Sequence, residues 1–208
     1  MLDMSSAFDT VDHNILIGRL KSLGIMGTVL DWFISYLSER SQYVKIGHSA
    51  SSKTTMKHGV PQGSVGGPLL FSLYMQPISK IFKKHSISYH CYADDVQIYL
   101  SFKPTISSLS SAVTKIETCL EEVKSWLMSN GLKLNDEKSE FLLLGSKQML
   151  KKVNYKSCRL HIGSRCITPL ERARNLGVIF DRELSFRSHL THIQQSVRYM
   201  YQLRNLSS

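Results

Sequence analysis

The chain has no apolar run near the roughly 18 to 20 residues needed to span a bilayer. It has no basic, then apolar, leader: it opens MLDMSSAFD, with an acid where a secretory signal carries lysine or arginine. Secretion and membrane insertion are therefore not expected; work in the nucleus or cytoplasm is. Cysteine is scarce, with four in 208 residues. Cys91, Cys119, Cys158 and Cys166 contain no C-x₂-C pair, which argues against a zinc knuckle and for buried or free thiols in a reducing compartment. There is no internal repeat and no low-complexity tail. Acids are few: 16 Asp and Glu stand against 26 Lys and Arg, a net charge of +10. An excess of that size favours polyanionic partners, nucleic acid ahead of a membrane surface. Hydrophobic content of 42% and charged content of 20% are ordinary for a globular protein.

The patterning alternates helices and short strands without strict βαβ order, so α+β is the expected class. Asp12 can cap a helix with Ile15, Leu16, Leu20 and Leu23 at helical spacing, ending at Gly24. A second helix is expected from Thr28 to Glu39. SQYVKIG, SASS and KTTMKHG read as a β-hairpin, with SASS between the strands. GVPQGSVGGPLL is a Gly/Pro-rich loop feeding a helix, with Pro68 in its first turn and Lys83-Lys84 at its end. Ser107 or Ser108 then opens the clearest helix, which carries Leu109, Val113, Ile116, Leu120, Val123 and Leu127 and stops at Asn130-Gly131. LKLN and SEFLLLG read as strands, and LHIGSRCITPLERARNLGVIFD as short strands and turns. A last amphipathic helix runs from Ser188 to Leu206, with Leu190, Ile193, Val197 and Tyr201 on one face.

Two constellations carry chemistry. Tyr92-Ala93-Asp94-Asp95 lies between the apolar runs CYA and VQIYL, the pattern of a hairpin with acids at its tip. Two carboxylates roughly 4 Å apart repel by on the order of 4 kcal/mol at an effective dielectric of about 20. Such a pair calls for a cation or a shifted pKa, although Asp-Asp alone also reads as a solvated turn. Asp3 lies near the front of the chain, after a strand of only Met1 and Leu2. If that strand pairs beside the hairpin, Asp3 and Asp94 meet, and three hard oxygen ligands suit Mg²⁺. Spacing alone leaves that meeting open. The loop HGVPQGS is the second constellation. Its glycines allow close backbone approach, the following helix presents a positive end, and Gln62 offers both a donor and an acceptor. A plain turn before a helix is the competing reading.

LDMSSAFDTVDH, GVPQGSVGGPLLF, YADD, NGLKLNDEKSEFLLLG and NLGVIFD occur in an order that resembles the reverse transcriptases of non-LTR retrotransposons, jockey-like long interspersed elements. They resemble that family's motifs A to E and cover nearly the whole chain. The resemblance implies a polymerase palm, an antiparallel sheet backed by helices, over residues 1–183, with the start of a thumb helix at 184–208. It implies an RNA-directed DNA polymerase that joins a deoxynucleoside triphosphate to a primer 3′-hydroxyl on an RNA template. By resemblance, Asp3, Asp94 and Asp95 are catalytic and hold two Mg²⁺ ions, with Mn²⁺ an alternative. Lys138 matches a catalytic lysine at the departing pyrophosphate. Phe8 resembles a steric gate against the ribose 2′-hydroxyl, and Gln62 and Gly63 line the nucleotide pocket. NLGVIFD would lie under the primer terminus, and Arg187, Arg198 and Arg204 would meet the duplex.

The chain departs from that pattern in having no fingers before Met1, only one thumb helix, no endonuclease domain, and Gly66 where a larger apolar residue is usual. Gly66 is expected to leave a small void or a loosened helix start, at about 1–3 kcal/mol. The chain therefore looks like a fragment. The competing functional class is a catalytically inactive nucleic-acid-binding remnant. A metal phosphohydrolase has little support, because no histidine cluster lies near the acids in sequence.

Overall fold

A computed structural model describes residues 1–61 and 63–206, without the side chains of 203, 205 and 206. The elements in chain order begin with β1 (Met4–Ser5), α1 (His13–Ser22) and α2 (Gly27–Leu37). Four short strands follow: β2 (Ser41–Gln42), β3 (Lys45–Ile46), β4 (Ser49–Ala50) and β5 (Thr54–Thr55). Then come α3 (Gly67–Met75), α4 (Ile78–Lys84), β6 (Ser88–Tyr92), β7 (Asp95–Tyr99) and α5 (Ile106–Ser129). The chain continues with β8 (Lys133–Leu134), α6 (Lys147–Lys152), β9 (Leu160–Ile162), β10 (Arg165–Ile167), β11 (Arg172–Asn175), β12 (Val178–Asp181) and α7 (Arg187–Leu206). The mixed class is thus as expected. The strands, however, form six separate antiparallel pairs, β1–β8, β2–β5, β3–β4, β6–β7, β9–β10 and β11–β12. No described helix is long and apolar enough to cross a membrane.

The described chain divides into two compact units. One comprises residues 2–99 and 119–137. Its core is helical: Leu16 and Leu20 of α1, Phe71, Tyr74 and Met75 of α3, Phe82 of α4, and Val123 and Leu127 of α5 are all buried. The other comprises Met1 and residues 100–118 and 138–208. There Leu109, Leu143, Leu150, Val153 and Cys158 form a smaller apolar cluster, with Phe102, Val113, Phe141 and Tyr155 against it.

Local chemistry explains the helix boundaries. The Asp12 carboxylate accepts from the backbone N–H groups of Asn14 and Ile15 at 2.8 and 3.0 Å and starts α1. Both α1 and α5 end in paired C-terminal hydrogen bonds: Gly24 to Lys21 and Ile25 to Leu20, then Gly131 to Met128 and Leu132 to Leu127. Gly24 and Gly131 hold the left-handed φ of +86° and +67° that this closure requires. The start of α5 lies earlier than expected. Thr105, not Ser107 or Ser108, caps it, its Oγ1 accepting from the Ser108 N–H at 3.2 Å. Thr105→Ala should cost about 1 kcal/mol, measured by urea unfolding.

Three further expectations need correction. The helix after the glycine-rich loop is two helices, because Pro77 has no N–H to give to the carbonyl four residues back and so separates α3 from α4. The 41–55 hairpin turns at Gly47-His48 rather than within SASS: Ile46 pairs with Ser49, and Gly47 has φ +59°. SEFLLLG forms no strand. Its backbone ties include a single bridge from Leu142 to Leu170, reciprocal bonds between Glu140 and Met1 at 2.9 and 2.7 Å, and bonds from Leu170 N–H to Phe141 O and from Gly145 N–H to Arg182 O. A Cβ at Gly66 would meet nothing within 4 Å, so the position faces open space.

The four cysteines are free, Cys119 and Cys158 buried, Cys91 and Cys166 exposed. Burial, and then nearby Glu122, pushes the Cys119 thiol up to about 11. The apolar face of α7 (Leu190, Ile193, Val197 and Tyr201) is exposed.

Candidate active site

Asp3 is held by its two neighbours in the chain. The Leu2 N–H donates to the Val96 carbonyl at 2.8 Å, an antiparallel bridge to the acidic hairpin. On the other side, Met4 pairs with Leu134 of β8, and the Asp3 carbonyl itself accepts from the Asn135 N–H at 2.8 Å. Leu2, Met4 and Val96 are buried, whereas Asp3 is partly accessible. Strand alternation therefore turns Asp3 away from the core. One step along from the Leu2–Val96 bridge, the antiparallel register sets Asp3 across from Asp95.

The hairpin tip is Ala93-Asp94, closed by the pair Tyr92–Asp95. Asp94 thus sits in the turn, and Asp95 is the first residue of β7. Ala93 holds φ +52°, a left-handed conformation that costs a non-glycine residue about 1–3 kcal/mol and is concentrated at functional sites. Asp95 is exposed as a residue, but its carboxyl is partly shielded from water. That shielding, then the charges of Asp94 and Asp3, holds it above the ordinary carboxylate range. Folding therefore binds the Asp95 proton more tightly than the unfolded chain does, so this carboxyl weakens the fold as pH rises from below its ordinary value through the raised one. In the absence of a divalent ion, Asp95→Asn is expected to leave thermal stability at pH 7 unchanged or higher. A lowered melting temperature would contradict mutual repulsion among these acids.

Asp94 and Asp3 thus both lie within electrostatic reach of Asp95. Among the described residues, no set of three His, Cys, Asp or Glu side chains is gathered closely enough to hold a metal ion as it stands. The donor chemistry nevertheless fits a hard divalent cation, being three carboxylates, each a source of anionic oxygen.

Phe8 is half-buried, its ring 4.9 Å from that of Phe71. Its carbonyl accepts from the Val60 N–H at 2.8 Å, which ties the segment after Asp3 to the glycine-rich loop. Gly59 is wedged at the same place. It has φ +93°, and a Cβ would lie 3.1 Å from the Asp9 carbonyl oxygen. His13 Nε2 is 2.8 Å from the Gly59 carbonyl. Gly63 holds φ +76° in open space. Gln62 lies outside the described residues. Ser64 organises the approach to α3, donating to the Pro61 carbonyl at 2.7 Å and accepting from the Gly67 N–H at 3.0 Å. Lys138 is exposed in the turn that follows β8 and belongs to the other unit.

Sequence patterning missed the network that supports this site. The Tyr74 hydroxyl donates to the Asn130 carbonyl at 2.7 Å and accepts from the Asp12 N–H at 3.4 Å. Arg19 lies over the Tyr74 and Trp126 rings, 4.5 and 5.1 Å from their centroids, and donates to the Asn130 side chain. These bonds join α1, α3 and the end of α5, from which β8 runs to its pairing with β1. The polar tip of an otherwise buried tyrosine was the available signal, because such a hydroxyl needs a partner.

Residues 1–200 match the model of the family described as Reverse transcriptase (RNA-dependent DNA polymerase). The chain belongs to that family. It is 28% identical over 204 residues to the RNA-directed DNA polymerase from mobile element jockey of Drosophila melanogaster, covering 95% of this chain and 21% of that protein. It is also 28% identical to the probable RNA-directed DNA polymerases from transposon BS and transposon X-element of the same organism, covering 98% and 95% of the chain. The chain thus spans about a fifth of the length of these curated relatives. The resemblance to jockey-like elements drawn from the five motifs is borne out.

Proposed function

We propose that this chain is the palm of an RNA-directed DNA polymerase, residues 1–183, followed by the start of a thumb at 184–208. Its substrates are an RNA template, a DNA primer and a deoxynucleoside triphosphate. The observation that supports this reading best is the Leu2–Val96 bridge, which brings Asp3 beside the Asp94-Asp95 turn.

Asp3, Asp94 and Asp95 are the residues that would hold Mg²⁺. When bound, the ions would supply positive charge at the attacking hydroxyl and at the departing pyrophosphate. The chain's own part is positional. The backbone bonds of Leu2 to Val96 and of Asp3 to Asn135 hold the segment that carries Asp3, and Asp94 sits in the hairpin turn. Lys138 would give a proton or a charge to the leaving pyrophosphate. Gly63, with Gln62 beside it, would let the backbone approach the nucleotide. Phe8, braced on Phe71, would fill the space that a ribose 2′-hydroxyl needs.

Primer extension on poly(rA)/oligo(dT) with Mg²⁺ tests the reading. Incorporation of deoxynucleotide supports it. Template binding without incorporation, in this chain and in an element-length polymerase that contains it, favours a non-catalytic remnant. Where extension is seen, Phe8→Val should raise ribonucleotide use relative to deoxyribonucleotide use by about 10- to 100-fold. An unchanged ratio would remove Phe8 from the gate.

A further inference from the structure

We infer that α2 and the β2–β5 hairpin form a binding surface for single-stranded nucleic acid, apart from the carboxylates. Trp32, Tyr36 and Arg40 stack in succession. The Trp32 and Tyr36 rings are 5.3 Å apart and 13° from parallel, and the Arg40 guanidinium lies 4.6 Å from the Tyr36 centroid. The stack is braced by Arg40 Nε, which donates to the Tyr36 carbonyl at 2.8 Å, and by the Met56 N–H, which donates to the Arg40 carbonyl at 2.8 Å. It therefore runs from the helix onto the base of the hairpin. Trp32, at the outer end, is 59% exposed, with the Phe33 ring set edge-wise to it at 5.0 Å and 77°. A large apolar ring held rigidly in water is costly to leave uncovered and offers a platform for a base.

The charge beside it selects the partner. Residues 40–58 contain no acid and carry Arg40, Lys45, Lys53 and Lys57, the three lysines exposed. The nearest acids in sequence are Asp31 within α2 and Glu39 at its end. Between Gln42–Thr54 and Lys45–Ala50 the hairpin register shifts by one residue, a bulge that twists the ladder locally. An aromatic stack next to an acid-free basic ribbon is complementary to a strand with free bases and a phosphate backbone. It suits a duplex less well, because a duplex hides its base faces.

The surface goes beyond the polymerase reading and is tested without catalysis. Binding of a fluorescently labelled oligo(dT) is followed by anisotropy across a salt series, using the full chain carrying Asp94→Asn. Trp32→Ala should weaken binding about 5- to 150-fold, the range given by the loss of one aromatic–base stack. Trp32→Phe should restore most of it. Lys45→Gln with Lys53→Gln should reduce the salt slope by about 1.4, or about 0.7 for each phosphate that is no longer neutralised. Binding unchanged within twofold in Trp32→Ala, or an unaltered salt slope in the lysine double variant, overturns the assignment. So does self-association through this face, seen as a Trp32-dependent increase in mass by light scattering without oligonucleotide binding. Failed primer extension would count against the carboxylate site and leave this surface standing.

Discussion

Asp94→Asn is expected to lower primer extension by about a thousandfold or more, roughly 4 kcal/mol of transition-state stabilisation. The substitution keeps the size of the side chain and its place in the turn. It removes one of the two neighbouring negative charges that, after partial shielding from water, hold the Asp95 carboxyl above its ordinary range. A divalent ion bound as proposed would lose both a ligand and part of the field that draws it in. Because Asp94 lies in the turn rather than in a strand, no ladder bond is broken. Fold stability should therefore change little, and template binding should persist. Extension by the variant at a tenth of the parental rate would show that Asp94 is not a principal ligand. The same assay with Asp95→Asn separates the two acids, since Asp95 stands at the start of β7 across from Asp3.

Gly59→Ala should destabilise the chain by about 2–5 kcal/mol, measured by chemical denaturation. Two separate costs add here. A φ of +93° is rarely open to a residue with a Cβ, and the new methyl would come 3.1 Å from one backbone oxygen and 3.2 Å from a backbone Cα of Asp9. Neither neighbour is a flexible side-chain end that can turn aside. The strain falls on the bond that keeps Phe8 and Val60 together, so any polymerase activity should fall with stability. Gly66→Ala is the internal control. It adds a methyl to open space within the same loop, and a change below about 1 kcal/mol is expected. Equal losses at both positions would argue against packing at Gly59.

What the sequence disclosed was chiefly local. Asp12 as a cap, Gly24 and Gly131 as helix ends, and the YADD hairpin all follow from chemistry within a few residues. Pro77 was also in plain view, yet the apolar spacing from Leu69 to Ile78 obscured its break. The family motifs reached further, because five of them in order constrain each other where any one alone is a common turn or strand. SEFLLLG, by contrast, has the composition of a strand and lacks a ladder partner, and pairing is a property of distant residues. Asp3 shows the same limit. Its pairing beside Val96 depends on a bond across more than 90 positions, which no local pattern encodes. Tyr74 and Arg19 were hidden for a related reason. They lie on separate helices, and only the folded chain sets them against Asn130.

The short segment around Asp3 also makes the site vulnerable to changes in length. Leu2 and Met4 bond to different neighbours, and the acid between them faces outward only while both bonds hold. Loss of a single codon there would shift the alternation by one place and swing the carboxylate toward the apolar side, or force the stretch to let go of one partner. Hydrophobic content, charge and all five motif spellings would barely change. A copy damaged in this way would still look intact by composition, so the spacing of these few codons is a sharper guide to a working polymerase than the presence of the acid itself.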